Sequence, residues 1–258
     1  MDLIVLKLVF PPFLILLASL AGRRWGDAIG GWLVGLPLTS GPISAFLALQ
    51  YGTDFAAVAS NGSLIGTVAQ ACFCLGYALV ARRGWVPALI AGIAAYAGSA
   101  LFMQELPLTH WGFFVAALVT LTVSARLIPF YNPLRNPIAS PWWDLPARML
   151  VATVIVVTLT AAASLVGAQM AGILACFPVF ASILAVFTHR MRSAEMAMQV
   201  LRGMVLSLYG FATFFFLIGL IIVEVGTLPA FAIATVSSLL MQSTALYFIR
   251  RGKIVYSR

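Results

Sequence analysis

Apolar residues run along this chain in long blocks separated by short polar gaps. A helix needs about 20 mostly apolar residues to cross a hydrocarbon core. Reading on that rule predicts nine spans, at 3–20, 28–50, 54–81, 86–104, 110–128, 146–165, 169–188, 195–223 and 228–249. The blocks are too long for the strands of a membrane barrel and lack their alternation. The first block follows Met1-Asp2 with no basic stretch ahead of it, so it reads as a span that stays on the mature protein. The expected fold is all-α and polytopic.

The gaps carry the charge. Arg23 and Arg24 lie between spans one and two, Arg82 and Arg83 between three and four, and Arg126, Arg135 and Arg148 around the gap between five and six. Arg190 and Arg192 lie between seven and eight, and Arg250, Arg251, Lys253 and Arg258 follow span nine. The intervening gaps near 51–53, 105–109, 166–168 and 224–227 hold no Lys or Arg. Because Lys and Arg mark cytoplasmic loops, the predicted N-terminus is outside and the C-terminus inside a bacterial inner membrane. The Pro- and Asn-rich stretch 129–147 reads as a cytoplasmic linker with Trp142-Trp143 at headgroup level.

Composition agrees. The chain is 62% hydrophobic and 9% charged, against about 25% charged for a soluble domain, and its mean hydropathy is +1.06. The net charge of +8 therefore reads as a topology signal, and nucleic acid is not an expected partner. Cys72, Cys74 and Cys176 all sit in apolar runs and read as small hydrophobes, with no disulfide framework or metal site implied. No cofactor is expected.

Shifting the chain by 141 residues aligns two halves without a gap from 25 to 76. Gly26 meets Gly167, Gly31 meets Gly172, Leu33 meets Leu174, Pro37 meets Pro178, and Phe46 meets Phe187. Ala56 meets Ala197, Gly62 meets Gly203, Ala71 meets Ala212, Phe73 meets Phe214, and the acid Asp54 meets the acid Glu195. Spans one to four thus repeat as six to nine, with span five as linker: repeat one over 1–104, linker span and loop over 105–145, repeat two over 146–258. Four spans plus one is odd, so the second copy enters the membrane from the opposite side. Inverted repeats of this kind recur in secondary transporters, and some channels have them too.

Span two holds four glycines and two prolines within Gly30–Pro42, and span seven carries Pro178 at the position matching Pro37. Proline removes a backbone donor and clashes with the preceding turn, so both spans should break near the membrane midplane. Freed backbone groups at that depth must lie in protein or beside a water-filled cavity. The candidate substrate-binding residues are Gly35, Pro37, Thr39, Ser40, Gly41 and Pro42 from span two, Cys176, Pro178 and Ser182 from span seven, and Arg202, which lies about two turns inside span eight. Packing kinks and snorkelling offer plain structural alternatives. Gln70 and Gln242 read as interhelical glue, Tyr96 as packing, and Asp54 and Glu195 as helix-start residues. No carboxylate falls at the midplane, which favours a neutral or singly charged solute.

The chain lacks paired catalytic acids, a Walker loop, H-E-x-x-H and a dinucleotide fingerprint, and His110 and His189 fall at opposite membrane faces, so no enzyme is expected. The run GGWLVGLPLTSGPISAFLAL resembles glycine- and proline-rich segments of AbrB- and LrgB-type bacterial membrane proteins. That resemblance covers about 25 residues and implies an inverted-repeat carrier with broken, crossing helices. The 4+1+4 plan departs from the five-plus-five plan of better-known members of that group. The expected function is solute transport by alternating access around spans two and seven, with membrane lipids and a small solute as partners. A channel or lipid translocator, a non-catalytic subunit of a larger complex, and a homo-oligomer stay open as alternatives.

Overall fold

The computed structural model describes residues 40–131, 143–163 and 176–255, together with Ile173 and scattered positions between 13 and 37. Among the described residues all regular structure is helical: α1 (Ser40–Tyr51), α2 (Thr53–Val80), α3 (Trp85–Glu105), α4 (His110–Leu127), α5 (Asp144–Ala163), α6 (Val179–Met191), α7 (Ala194–Val225) and α8 (Thr227–Val255), with a 3-10 turn over Ala81–Arg83. Four helical stretches are long and apolar enough to cross a membrane: Thr53–Arg83, Trp85–Glu105, His110–Leu127 and Ala194–Val225.

Local chemistry sets the helix ends. Gly52, Gly84 and Gly226 precede α2, α3 and α8 with φ of +92°, +112° and +82°, a region that a side chain makes costly. Ser193 accepts from the Met196 amide at 3.2 Å to start α7, and the Thr109 hydroxyl accepts from Gly112 to start α4. Asp54 and Glu195 lie in the first turns of α2 and α7, where their charge meets the positive end of the helix dipole.

The long helices α2 and α7 form the centre and are buried on all sides along their middle turns. Ser60 meets Gly219, and Cys74 lies 4.0 Å from Met204 through their sulfurs, so the two helices run antiparallel. α4 packs on both of them, while α3 packs on α2 and α8 on α7. The outer helices divide cleanly by face. In α4, Phe113, Ala117, Leu121 and Ser124 are buried, while Trp111, Val115, Val119, Val123 and Leu127 form an exposed apolar stripe. In α3 the buried stripe is Ala88, Gly92, Tyr96 and Ala100; in α8 it is Ala230, Ala234, Ser238 and Gln242. Apolar faces turned outward on this scale suit lipid, since a water-soluble chain rarely exposes contiguous apolar patches of more than a few hundred Å².

The elements of the two halves pair off. Thr53 and Ala194, which open α2 and α7, stand 141 residues apart, as do Pro37 and Pro178. Beyond these helices the offset becomes 142: Gly84 and Gly226 precede α3 and α8, with Pro87 and Pro229 in the first turns. Packing partners pair off too. α1 packs on α2 and touches α8; α6 packs on α7 and touches α3.

The basic ends of the helices gather at one end of the bundle. Arg82 donates to the Tyr131 hydroxyl at 3.0 Å, the Tyr77 hydroxyl lies 3.1 Å from His189 Nδ1, and the Arg190 guanidinium stands over the Trp85 ring at 5.4 Å. His110, Asn61 and Gly219 mark the other end.

Candidate functional site

Two helix starts carry the predicted breaks. α6 begins directly after Pro178, whose carbonyl accepts from the Ser182 amide at 2.8 Å and from the Ser182 hydroxyl at 2.7 Å. α1 begins three residues after Pro37, whose carbonyl accepts from the Gly41 amide at 2.9 Å. Both breaks thus use the same bond at equivalent positions. Gly35 and Thr39 lie outside the described residues, and Pro42 falls in the first turn of α1.

Each break rests on the opposite half. Cys176 is buried against α2, where its Sγ lies 3.8 Å from the Ser63 carbonyl, and a Cβ added at Gly66 would run into the Cys176 side chain. Gly66 is therefore a glycine because the chain passes it so closely. On the other side Gly41 meets the Phe214 ring of α7, whose edge packs on Phe231 of α8 at 5.8 Å between centroids.

The two breaks differ in how their polar groups are satisfied. At the α6 break the Ile173 carbonyl accepts from the Tyr96 hydroxyl at 2.6 Å, and the Cys176 carbonyl accepts from Gln70 Nε2. The Tyr96 ring stands edge-on to Phe177, closing that side. Carbonyls freed by Pro178 are thus taken by α2 and α3 inside the protein, as a buried break in lipid requires. Around the α1 break, Ser40 Oγ, Ser238 Oγ and Gln242 Oε1 are buried without a hydrogen-bond partner among the described residues. Gln242 packs against Gly210 of α7, one turn from Phe214, and its Nε2 reaches the Ser207 carbonyl only at 3.5 Å.

Arg202 stands apart from both breaks. Its Nη1 donates to the Ala125 and Ile128 carbonyls at 2.5 and 2.7 Å, at the C-terminus of α4, where a cation complements the helix dipole. Its repeat equivalent, Asn61, meets His110 Nδ1 at 2.6 Å at the opposite end of α4, and His110 Nε2 lies 2.8 Å from the Phe216 carbonyl. Equivalent positions of the two halves therefore hold the two ends of the linker helix.

Tyr96 and Ser238 are the residues that the sequence reading left out of the site. The available signal was the four-residue stripe each occupies, Ala88-Gly92-Tyr96-Ala100 and Ala230-Ala234-Ser238-Gln242, which the 142-residue offset superposes. Among the described residues no three His, Cys, Asp or Glu side chains gather to hold a metal ion. No family model, curated protein or solved structure matches the chain.

Proposed function

We propose that this chain carries a small solute across a bacterial inner membrane, by alternating access between two inverted four-span repeats joined by α4 as linker span. The observation that carries the reading is the pair of breaks at Pro37 and Pro178, each seated on the helices of the opposite half. Broken helices at matching positions of two halves are where secondary transporters bind their cargo. The antiparallel course of α2 and α7 supports inversion, because equivalent helices of a direct repeat would run the same way. Two halves of similar sequence and opposite orientation can exchange conformations, which gives inward-open and outward-open states of similar energy. The gathering of basic helix ends on one side supports an inside C-terminus.

Single cysteines placed through 35–42 and 174–182, with Cys72, Cys74 and Cys176 replaced, test this. A membrane-impermeant thiol reagent should modify both segments when applied from either side. Protection of both segments from both sides would overturn the carrier reading and leave two packing kinks. Pro37→Ala and Ser40→Leu should each abolish flux while sparing expression once a substrate is in hand.

A further inference from the structure

We infer that the cargo is an uncharged polar molecule and that the first half alone binds it, through Ser40, Ser238 and Gln242, while the equivalent place in the second half is sealed by the protein's own side chains. The inference rests on the carrier reading for the word cargo but on separate observations for the site.

The repeat offset lets the two places be compared residue by residue. At the α6 break Tyr96 and Gln70 fill the two positions that donate to freed carbonyls. Their equivalents at the α1 break are Ser238 and Phe211. Serine is too short to reach as Tyr96 does, and phenylalanine has nothing to donate. One turn further along α8, Gln242 takes the place that Ala100 holds in α3. The first half has therefore exchanged two internal donors for a hydroxyl, an aromatic wall and an amide.

Those polar groups are unsatisfied. Ser40 is 6% exposed, Ser238 2% and Gln242 1%, and among the described residues Ser40 Oγ, Ser238 Oγ and Gln242 Oε1 have no partner. Buried polar groups are nearly always paired, and three unpaired ones on neighbouring elements point to a partner that comes and goes. Two hydroxyls that give or take a proton, and one oxygen that only accepts, fit a ligand bearing at least one N–H or O–H donor. Phe211, Phe214 and Phe231 supply an apolar wall beside them, the usual composition of a small-molecule site.

Charge is excluded by the surrounding chain. Residues 30–50, 203–223 and 227–249, which include α1, most of α7 and the membrane-length part of α8, contain no Asp, Glu, Lys, Arg or His. An ion entering there would lose its hydration with no counter-charge to replace it. A neutral amide- or hydroxyl-bearing molecule loses far less.

The test uses the full chain in membranes, with Cys72, Cys74 and Cys176 replaced, and matched thiol reagents: hydroxyethyl, sulfonatoethyl and trimethylammonioethyl methanethiosulfonate. Rates are normalised to each reagent's rate with a free thiol in solution. Ser40→Cys, Ser238→Cys and Gln242→Cys should react with the neutral reagent about tenfold or more faster than with either ion. The second-half equivalents Ala181→Cys and Ala100→Cys should stay unreactive to all three. The conservative Ser→Cys exchanges keep the test open should the Gln242 variant fold poorly. Equal rates for neutral and charged reagents would overturn the uncharged class. Equal reactivity in the two halves would overturn the asymmetry, and inertness of all first-half positions would show groups packed away from any ligand. The carrier reading fails separately: first-half reactivity that is always confined to one membrane face keeps the site but removes alternating access.

Discussion

The seal at the α6 break can be opened in measured steps. Tyr96 is 4% exposed and gives the Ile173 carbonyl its bond at 2.6 Å. Tyr96→Phe keeps the ring and its contact with Phe177 and removes only the hydroxyl. Side-chain hydrogen bonds within membranes contribute about 0.6 kcal/mol on average and up to about 1.7, and a stranded buried acceptor costs about 1–3 kcal/mol. The change should therefore cost about 1–2 kcal/mol. Gln70→Met, which strands the Cys176 carbonyl, should cost a similar amount. The two donors serve carbonyls three residues apart, so once one carbonyl is free the break has already loosened. The double variant should then lose about 0.5 kcal/mol or more less than the sum of the single losses. Reversible unfolding in mixed detergent micelles reads the global cost. The native Cys176 thiol reads the local one: buried at the break, its modification by N-ethylmaleimide should speed up about tenfold for each 1.4 kcal/mol lost. Thr158→Val serves as control, since its exposed hydroxyl only bonds back to Val154 of its own helix. Tyr96→Phe with less than about 0.3 kcal/mol lost and an unchanged Cys176 rate would refute the sealing role.

Three further outcomes follow from the packing. Gly66→Ala should destabilise the chain by about 1–3 kcal/mol through overpacking on Cys176, and Cys176→Gly should recover part of that loss in the same unfolding assay. Arg202→Gln should cost about 1.5–3 kcal/mol by weakening the charge-assisted hold on the end of α4, with Arg202→Lys in between; equal stability of all three would remove the clamp. Gly84→Ala and Gly226→Ala should each cost about 1–2 kcal/mol, because both glycines hold positive φ before equivalent helices, and a loss confined to one of them would break the parallel.

Much of the helical plan was legible because lipid leaves few options. A long apolar block must satisfy its backbone internally, so α2, α3, α4 and α7 fall within about two residues of the spans predicted at 54–81, 86–104, 110–128 and 195–223. The helix starts after Pro37 and Pro178 were equally legible, since a proline acts on its own backbone wherever it stands. What the breaks touch was not. Tyr96 and Ile173 are 77 residues apart, and Gln70 and Cys176 are 106 apart, so no local period links them. Arg202 drew attention as a deep charge, yet its partners are main-chain carbonyls of α4, which every residue type supplies and no sequence pattern marks. The gap-free alignment stopped at 76 because the offset changes by one residue before Gly226, which hid the correspondence between Tyr96 and Ser238.

The double attachment of α4 has a mechanical consequence. One end of this helix is tied through His110 to Asn61 in one half, and the other end through Ala125 and Ile128 to Arg202 in the other. A helix about 27 Å long does not stretch. If the halves rock against each other, α4 can stay whole only by acting as the pivot, with both anchors close to the hinge line. The residues that do not move would then be those on α4, and the largest excursions would fall on α1 and α6, the short helices to which it is not tied.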